Sequence, residues 1–523
     1  MPYTLAGRWC ALMAILLLVG SGCSLTPQME TPDSEAALPS TYSTPLADGA
    51  PVFSATDSTR FDPANWWTVF GDSALNALID TALVRNLTLE RTRAVVSELA
   101  SQYRIARAPL FPQATGNGTY NRQVQPANTG IASLGIGGGG GEGAPDPPDR
   151  ITFDTYSLSL ALSYELDFWG RLRNQRGAAA ERFLGSVDAV QTARQQVIAQ
   201  TIQTYFEVAS LRRQLALRTS IANLLEERVS LAEERYLRGL TPSFQVYALR
   251  QDLQTAQSEL PQLESQLADA RGRLSVTLGQ FMPEVDAAIA DAGGRTPTKS
   301  AVADLAPVPP GLPSDLLMAR PDVRADARQL EASRREIGAA RANLLPSFSL
   351  TAEGGVQNST LDDLLNIDQR FATFVASIAA PLFQGGRIRA EIGAAEARYR
   401  QRQATYEQTL RTAFQEVHAA LVTYENQQAQ HALVQQQLAE AEARASNQMR
   451  RYERGIGDYA AALDAERNRL QVALRLALTE EALVGTRVAV HRALGGAWVA
   501  PPAADDPRLF RDRYRPDASA SSD

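Results

Sequence analysis

Two periods of hydrophobic spacing alternate along this chain. Around residues 156–166 the period is two: Tyr156, Leu158, Leu160, Leu162, Tyr164 and Leu166 alternate with Ser157, Ser159, Ala161, Ser163 and Glu165, which predicts a strand with one apolar face. From about Asn174 to Tyr236 the steps become three and four. Phe183, Val187, Val190, Val197, Ile198, Ile202, Tyr205, Val208, Leu211 and Leu215 continue one stripe, and no proline falls between Pro148 and Pro242. That is an amphipathic helix, about 100 Å long at 1.5 Å per residue. It is far too polar to cross a bilayer.

The pattern is written twice. RYLRG at Arg235 to Gly239 returns as RYERG at Arg451 to Gly455, and each motif glycine lies 69 residues after an earlier glycine, Gly170 in LDFWGRLR and Gly386 in LFQGGRIR. Each also lies 40 residues before a later one, Gly279 in SVTLGQ and Gly495 in HRALGG. Pro112 and Pro346 form a fourth pair, with 18 more residues between Pro112 and Gly170 than in the second half; the surplus is accounted for by the glycine and proline run from Gly135 to Arg150, whose length costs little in a surface loop. The chain therefore reads as a tandem repeat. The first repeat is taken as 61–280, with strands at about 114–124 and 153–167 and long helices at about 172–237 and 243–279; the second as 331–496, with strands at about 347–357 and 371–383 and long helices at about 387–453 and 459–494. Residues 281–330 link them and 497–523 form a tail. A glycine after a basic, aromatic last turn is a helix stop, so both RYxRG motifs predict hairpin tips. Pro261 falls inside the return helix of the first repeat and predicts a bend there, absent from the second, where Ala477 stands at the equivalent place.

On helical periodicity alone, a coiled coil or filament segment explains the rods better than a channel wall does. The strands change that balance. Two per repeat make four per chain, and four cannot close on themselves, so in lipid the open edges demand other copies. Two copies give eight strands, which fill their own interior, whereas three give twelve and leave a lumen. Twelve helix positions set about 10 Å apart make a ring roughly 120 Å around, with a bore of about 25 to 30 Å.

Composition then places the chain. MPYTLAGRWCALMAILLLVGSGCS carries one basic residue, Arg8, an apolar run from Ala11 to Val19 and small residues before Cys23: a signal peptide over 1–22, too short to span a membrane. Cys23 resembles the acylated cysteine of a lipoprotein, although Gly20 stands where such motifs place leucine, and Ser24 after it resembles the outer-membrane sorting choice. Residues 23–60 read as a lipidated tether rich in Pro, Ser, Thr and Asp. With Cys10 removed with the signal, the mature chain has no pair for an internal disulfide. The net charge of −7 becomes −8 once Arg8 is cleaved away, and no basic block points to nucleic acid. The only histidines are His418, His431 and His491, without metal-ligand spacing, and neither a phosphate loop nor a G-x-S-x-G elbow occurs. Neither enzyme chemistry nor a cofactor or metal is indicated.

YELDFWGRLR from Tyr164, VPPGLPSDLLMARPDV from Val308, IGAARANLLPSFSLTA from Ile337, TAFQEV from Thr412 and ALGGAW from Ala493, together with the NWWTVFGDSALNALIDTALVRN run from Asn65, resemble the TolC-like outer-membrane efflux channels, most closely the lipoprotein branch serving resistance-nodulation-division (RND) pumps. The resemblance implies a mainly α fold with a small β part, in a homotrimer forming a twelve-stranded outer-membrane β-barrel and a periplasmic α-helical barrel. It implies a duct for small toxic compounds, with a periplasmic adaptor and an inner-membrane RND-type pump as partners and outer-membrane lipid around the strands. Tyr236, Gly239, Leu240, Tyr452, Gly455 and Ile456 match the tips that receive the adaptor. Tyr452 and Asp464 match the periplasmic gate, and the neighbouring charges Arg451, Arg454 and Asp458 are assigned to it with them. Gln245 replaces an acid that some relatives carry, so the inter-repeat lock is expected to use other pairs. Two alternatives remain: the same duct serving a type I protein exporter, or a periplasmic coiled-coil scaffold without membrane strands.

Overall fold

The computed structural model describes residues 26–27, 63–126, 150–282 and 320–496. The signal peptide, Cys23, nearly all of the tether, most of the inter-repeat linker and the C-terminal tail lie outside these. In chain order the regular elements are α1 (Ser73–Arg85), α2 (Leu87–Arg107), β1 (Gln113–Pro126), β2 (Arg150–Leu166), α3 (Arg171–Leu237), α4 (Ser243–Leu278), α5 (Pro321–Ala342), β3 (Ser347–Asn358), β4 (Arg370–Ala379), α6 (Arg387–Glu453) and α7 (Tyr459–Ala493). β4 stops at Ala379, short of the 383 expected, because Pro381 follows and cannot donate to a ladder. α4 runs unbroken through Pro261. That residue is on the exposed side of the helix, as is Gln257, whose freed carbonyl water can satisfy.

The glycines that mark the repeat share one backbone property. Gly170 and Gly386, Gly239 and Gly455, and Gly279 and Gly495 all have positive φ, between 63° and 86°, a region costly for other residues. Each therefore ends or starts a helix at a matching place in the two repeats. Gly279 is doubly constrained, since a Cβ there would lie 2.2 Å from the Arg85 carbonyl oxygen.

The chain forms two compact units, and each draws on both repeats. The first contains Leu99–Arg182 and Leu330–Arg402, hence the whole sheet, in the order β1-β2-β3-β4 and antiparallel throughout. Cross-strand pairing sorts most of its side chains, with Phe153, Phe371 and Val375 the apolar exceptions on the otherwise polar face. One face carries Tyr120 and Val124, Tyr156 to Leu166 at every second position, Phe348, Leu350, Val356, Phe374 and Ile378; the other carries Thr115, Asn117, Thr119, Ser157, Ser159, Ser163, Ser349, Thr351, Glu353, Thr373 and Ser377. In the middle of β2 the polar side is the covered one, with Ser159 9% exposed against 48% for Leu158 and 55% for Leu160. Gly355 lets β3 come close to β2, for a Cβ on it would sit 2.2 Å from the Leu158 carbonyl oxygen. At the helix-bearing edge of the sheet, Trp169 donates its indole N–H to the Pro346 carbonyl at 2.7 Å, and the Asp167 carboxylate accepts from the Leu172 and Arg173 amides to start α3.

Among the described residues, the second unit contains 63–98, 183–282, 320–329 and 403–496. Its main core gathers Trp66, Trp67 and Phe70 with Ile202 and Phe206 of α3, Leu274 and Leu278 of α4, and Leu483, Val484 and Val488 of α7. The opening run from Asn65 is thus the plug of a helix cluster. Asp72 caps α1 and accepts the Tyr205 hydroxyl at 2.8 Å. Along α3, α4, α6 and α7 the core then continues as small separate clusters, such as Ile221, Leu225, Ala256 and Leu470.

Candidate functional site

Both RYxRG motifs fold alike. Gly239 N–H donates to the Tyr236 carbonyl (2.9 Å) and Leu240 N–H to that of Arg235 (2.9 Å); Gly455 and Ile456 repeat this with Tyr452 and Arg451 at 2.8 and 3.0 Å. This is the Schellman helix stop. In most such stops the apolar residue after the glycine packs back on its own helix; here Leu240 is 70% exposed and Ile456 65%. Tyr236 and Tyr452 are exposed too, and so are Leu237, Phe244 and Tyr247, the last two in the first two turns of α4. Sequence reading missed these two because they sit in the return helix, beyond the motif. The hairpin tips therefore present apolar and aromatic surface to the outside.

Just inside the tips, α3 and α7 are tied together. Arg228 meets Asp464 with two N–H groups on two carboxylate oxygens, at 2.6 and 3.2 Å. Arg235 lies 3.5 Å from Asp458, the residue that also caps α7. Tyr459 donates its hydroxyl to Glu227 and packs its ring against Tyr452, with centroids 4.5 Å apart. The carboxylate hydrogen bond, with some burial, pushes the Tyr459 hydroxyl up to about 12, so it remains a donor at any working pH. Arg467 of α7 reaches Asp252 of α4 at 3.4 Å.

Of the residues assigned to the gate, Tyr452, Asp458 and Asp464 enter this set of contacts. Arg451 and Arg454 are exposed and form no ion pair among the described residues. Their cationic part is taken by Arg228 and Arg235 of the first repeat, which a reading of charges near RYERG alone did not reach. Arg228 has a bidentate match and a side chain only 13% exposed, so its pair resists screening better than a rim contact does. Cys23 lies outside the described residues, but Thr26, three positions on, donates to the Asn174 side chain at 2.9 Å, and Arg334 donates to the Pro27 carbonyl at 2.9 Å. No group of three or more His, Cys, Asp or Glu able to hold a metal occurs among the described residues.

An antiparallel sheet with one largely apolar face and open edges, in a chain of long helical hairpins, defines a class: an outer-membrane channel subunit. The chain belongs to the outer membrane efflux protein family, whose pattern matches residues 78–280 and 312–496. It is 32% identical over 505 residues to the probable efflux pump outer membrane protein TtgC of Pseudomonas putida, covering 93% of this chain and 95% of that one. It is 28% identical over 478 residues to the cation efflux system protein CusC of Escherichia coli, covering 91% and 96%. Among solved structures, a membrane protein from Pseudomonas aeruginosa aligns with a TM-score of 0.75 at 28% identity, covering 90% of this chain and all of that one. A crystal structure of CusC aligns at 0.71 and 26%, covering 91% and all of that chain.

Proposed function

We propose that three copies of this chain form a passive outer-membrane duct, the last segment of a tripartite efflux system that carries small toxic compounds delivered by an inner-membrane RND-type pump through a periplasmic adaptor. The observation that carries the reading is the sheet. β1 and β4 are open edges and its faces divide into apolar and polar, so in lipid each edge must pair with a neighbouring copy. Twelve strands then close around a lumen lined mainly by Ser, Thr, Asn and Gln. The exposed tips are the adaptor's docking points, and the α3–α7 contacts are the latch that holds the periplasmic end shut. Docking favours the state in which that latch is released.

The chain is anchored through acyl groups on Cys23. Its support is Thr26, three positions after Cys23 in the sequence, whose hydroxyl donates to the Asn174 side chain in the first turn of α3. Relatives named as components of solvent, antibiotic and cation efflux systems support for this chain a role in expelling toxic small molecules. Deleting the gene and challenging the cells with organic solvents, antibiotics, metal cations and an assay for secreted proteins tests the proposal. Sensitivity to small toxicants with secretion intact supports it; lost secretion with unchanged sensitivity transfers the duct to a protein exporter.

A further inference from the structure

Within the sheet, the two repeats meet along one seam. β2 closes the strand pair of the first repeat, β3 opens that of the second, and they pair antiparallel from Tyr156 with Asn358 to Leu166 with Phe348. Residues flanking the strands seal the helix-bearing end of this seam. Phe168 meets Phe348 edge-on, with centroids 5.0 Å apart, Trp169 donates to the Pro346 carbonyl, and Leu166, Leu345 and Pro346 are all partly covered.

The two outer edges carry the counterparts of these residues. The spacing that matches Gly170 with Gly386 matches Leu166 with Leu382, and the spacing that matches Pro112 with Pro346 matches Leu345 with Phe111 and Phe348 with Ala114. Here they are bare: on the single chain Leu382 is 95% exposed, Phe383 90% and Phe111 51%. In an antiparallel sheet of order β1-β2-β3-β4, β4 runs as β2 does and β1 as β3 does, so β4 can join β1 of a second copy as β2 joins β3. Carrying the inner register over sets Leu382 level with Ala114 of the next copy, Ser377 with its Thr119 and Arg370 with its Pro126. All ten residues of β4 then find a partner inside β1, which the repeat spacing alone did not require. The apolar bulk is redistributed between the two seams. Gln384 and Gly385 stand where the inner seam has Phe168 and Trp169, while Phe383 replaces Asp167 and Phe111 replaces Leu345. The neighbouring charges are engaged within their own chain: Arg107 lies over the Phe111 ring, 5.2 Å from its centroid, and Arg387 is held by Gln384 and Glu391.

We infer that Leu382 and Phe383 are a clasp between copies, seated on Phe111 and the start of β1 of the next copy, with the β4–β1 ladder in the register of the β2–β3 seam. Such a contact is head-to-tail, and repeated around a closed ring it leaves none of the three sets bare. Covering them removes two large apolar side chains from water at each junction. The inference rests on the barrel reading of the sheet and adds to it where the chains join and through which side chains.

The test uses the full-length chain in outer membranes, with cysteine pairs oxidised by copper phenanthroline. Residues directly opposite in an antiparallel pair lie about 4.5 to 5.5 Å apart, within disulfide reach, whereas four residues of slip add about 13 Å. Thr119→Cys with Ser377→Cys should therefore cross-link between copies at least about fivefold more than Thr119→Cys with Thr373→Cys, and Gln113→Cys with Phe383→Cys should cross-link too. A maximum at Thr373 overturns the register. Cross-linking at Ser377 without any at Phe383 overturns the clasp. In a separate measurement, Phe383→Cys in the assembled protein should resist both lipid-soluble and water-soluble maleimides; free labelling by the lipid-soluble reagent would make this pair lipid-facing and overturn the clasp as well. The Thr119 pairs keep the register testable should the Phe383 variants assemble poorly. No cross-link from any pairing of β1 with β4 condemns the barrel reading instead, so the two failures are distinguishable.

Discussion

Arg228 and Asp464 are 236 residues apart in the chain and meet through two hydrogen bonds. An isolated exposed pair contributes about 0 to 1 kcal/mol, but this one is bidentate, half-enclosed and repeated in every copy. Asp464→Asn or Arg228→Gln should raise open probability in planar bilayers, with the double variant less than additive by about 1 kcal/mol of coupling. Fully additive effects would remove the pair from the latch. Arg451→Gln and Arg454→Gln should leave conductance nearly unchanged. A second buried group sets the response to acid. Burial, then the Arg487 charge, pushes His491 down to about 3; its ring is stacked on Trp66 at 4.5 Å, and Arg487 also reaches the Tyr424 hydroxyl. Native His491 thus stays neutral while an unfolded histidine protonates below its ordinary 6.5. Stability is intact at neutral pH and falls as pH drops through that value, by about 2 kcal/mol at pH 5. His491→Gln should flatten the decline of Tm between pH 7.5 and 5; an unaltered slope would point to other groups.

Among the elements, the sheet makes the sharpest demands. Gly355 has no room for a Cβ, so Gly355→Ala should cut the yield of assembled protein several-fold, measured as heat-modifiable oligomer in membranes, whereas Gly116→Ala, with open space around it, should not. The open edges make a further demand. With Cys23 acylated, no native thiol competes, so Thr119→Cys in β1 combined in turn with cysteines from Phe371 to Ser377 in β4 should yield cross-linked ladders ending at three chains. Ladders stopping at two would indicate an eight-stranded assembly. The helices were the most legible elements, since Arg171–Leu237 and Arg387–Glu453 carry long proline-free stripes. Their stops at Gly239 and Gly455 were legible for a local reason, the left-handed residue that a Schellman turn requires.

For the whole molecule, the anchor and the assembly are separable. Cys23→Ser should abolish incorporation of labelled palmitate while leaving trimer assembly in outer-membrane fractions largely intact, because the strands themselves hold the bilayer. Loss of the protein from membranes would make the acyl chains the principal attachment. The tandem repeat explains why one chain can supply matched parts: each compact unit takes a segment from both repeats, so a single duplicated plan provides two strand pairs and two hairpins.

Local chemistry was enough, from the amino-acid order alone, for the period-two strands, the proline-free rods, the helix stops at Gly239 and Gly455 and the duplication, since each depends on neighbours within a few residues or on a fixed spacing. Which charges meet was beyond its reach. Arg228 with Asp464, Glu227 with Tyr459 and Tyr205 with Asp72 join residues far apart in sequence, and their pairing depends on how neighbouring helices are set against one another. The meeting of Leu166 with Phe348, from which the seam between copies follows, likewise needed the strand register, because a shift of one residue would turn each side chain to the opposite face.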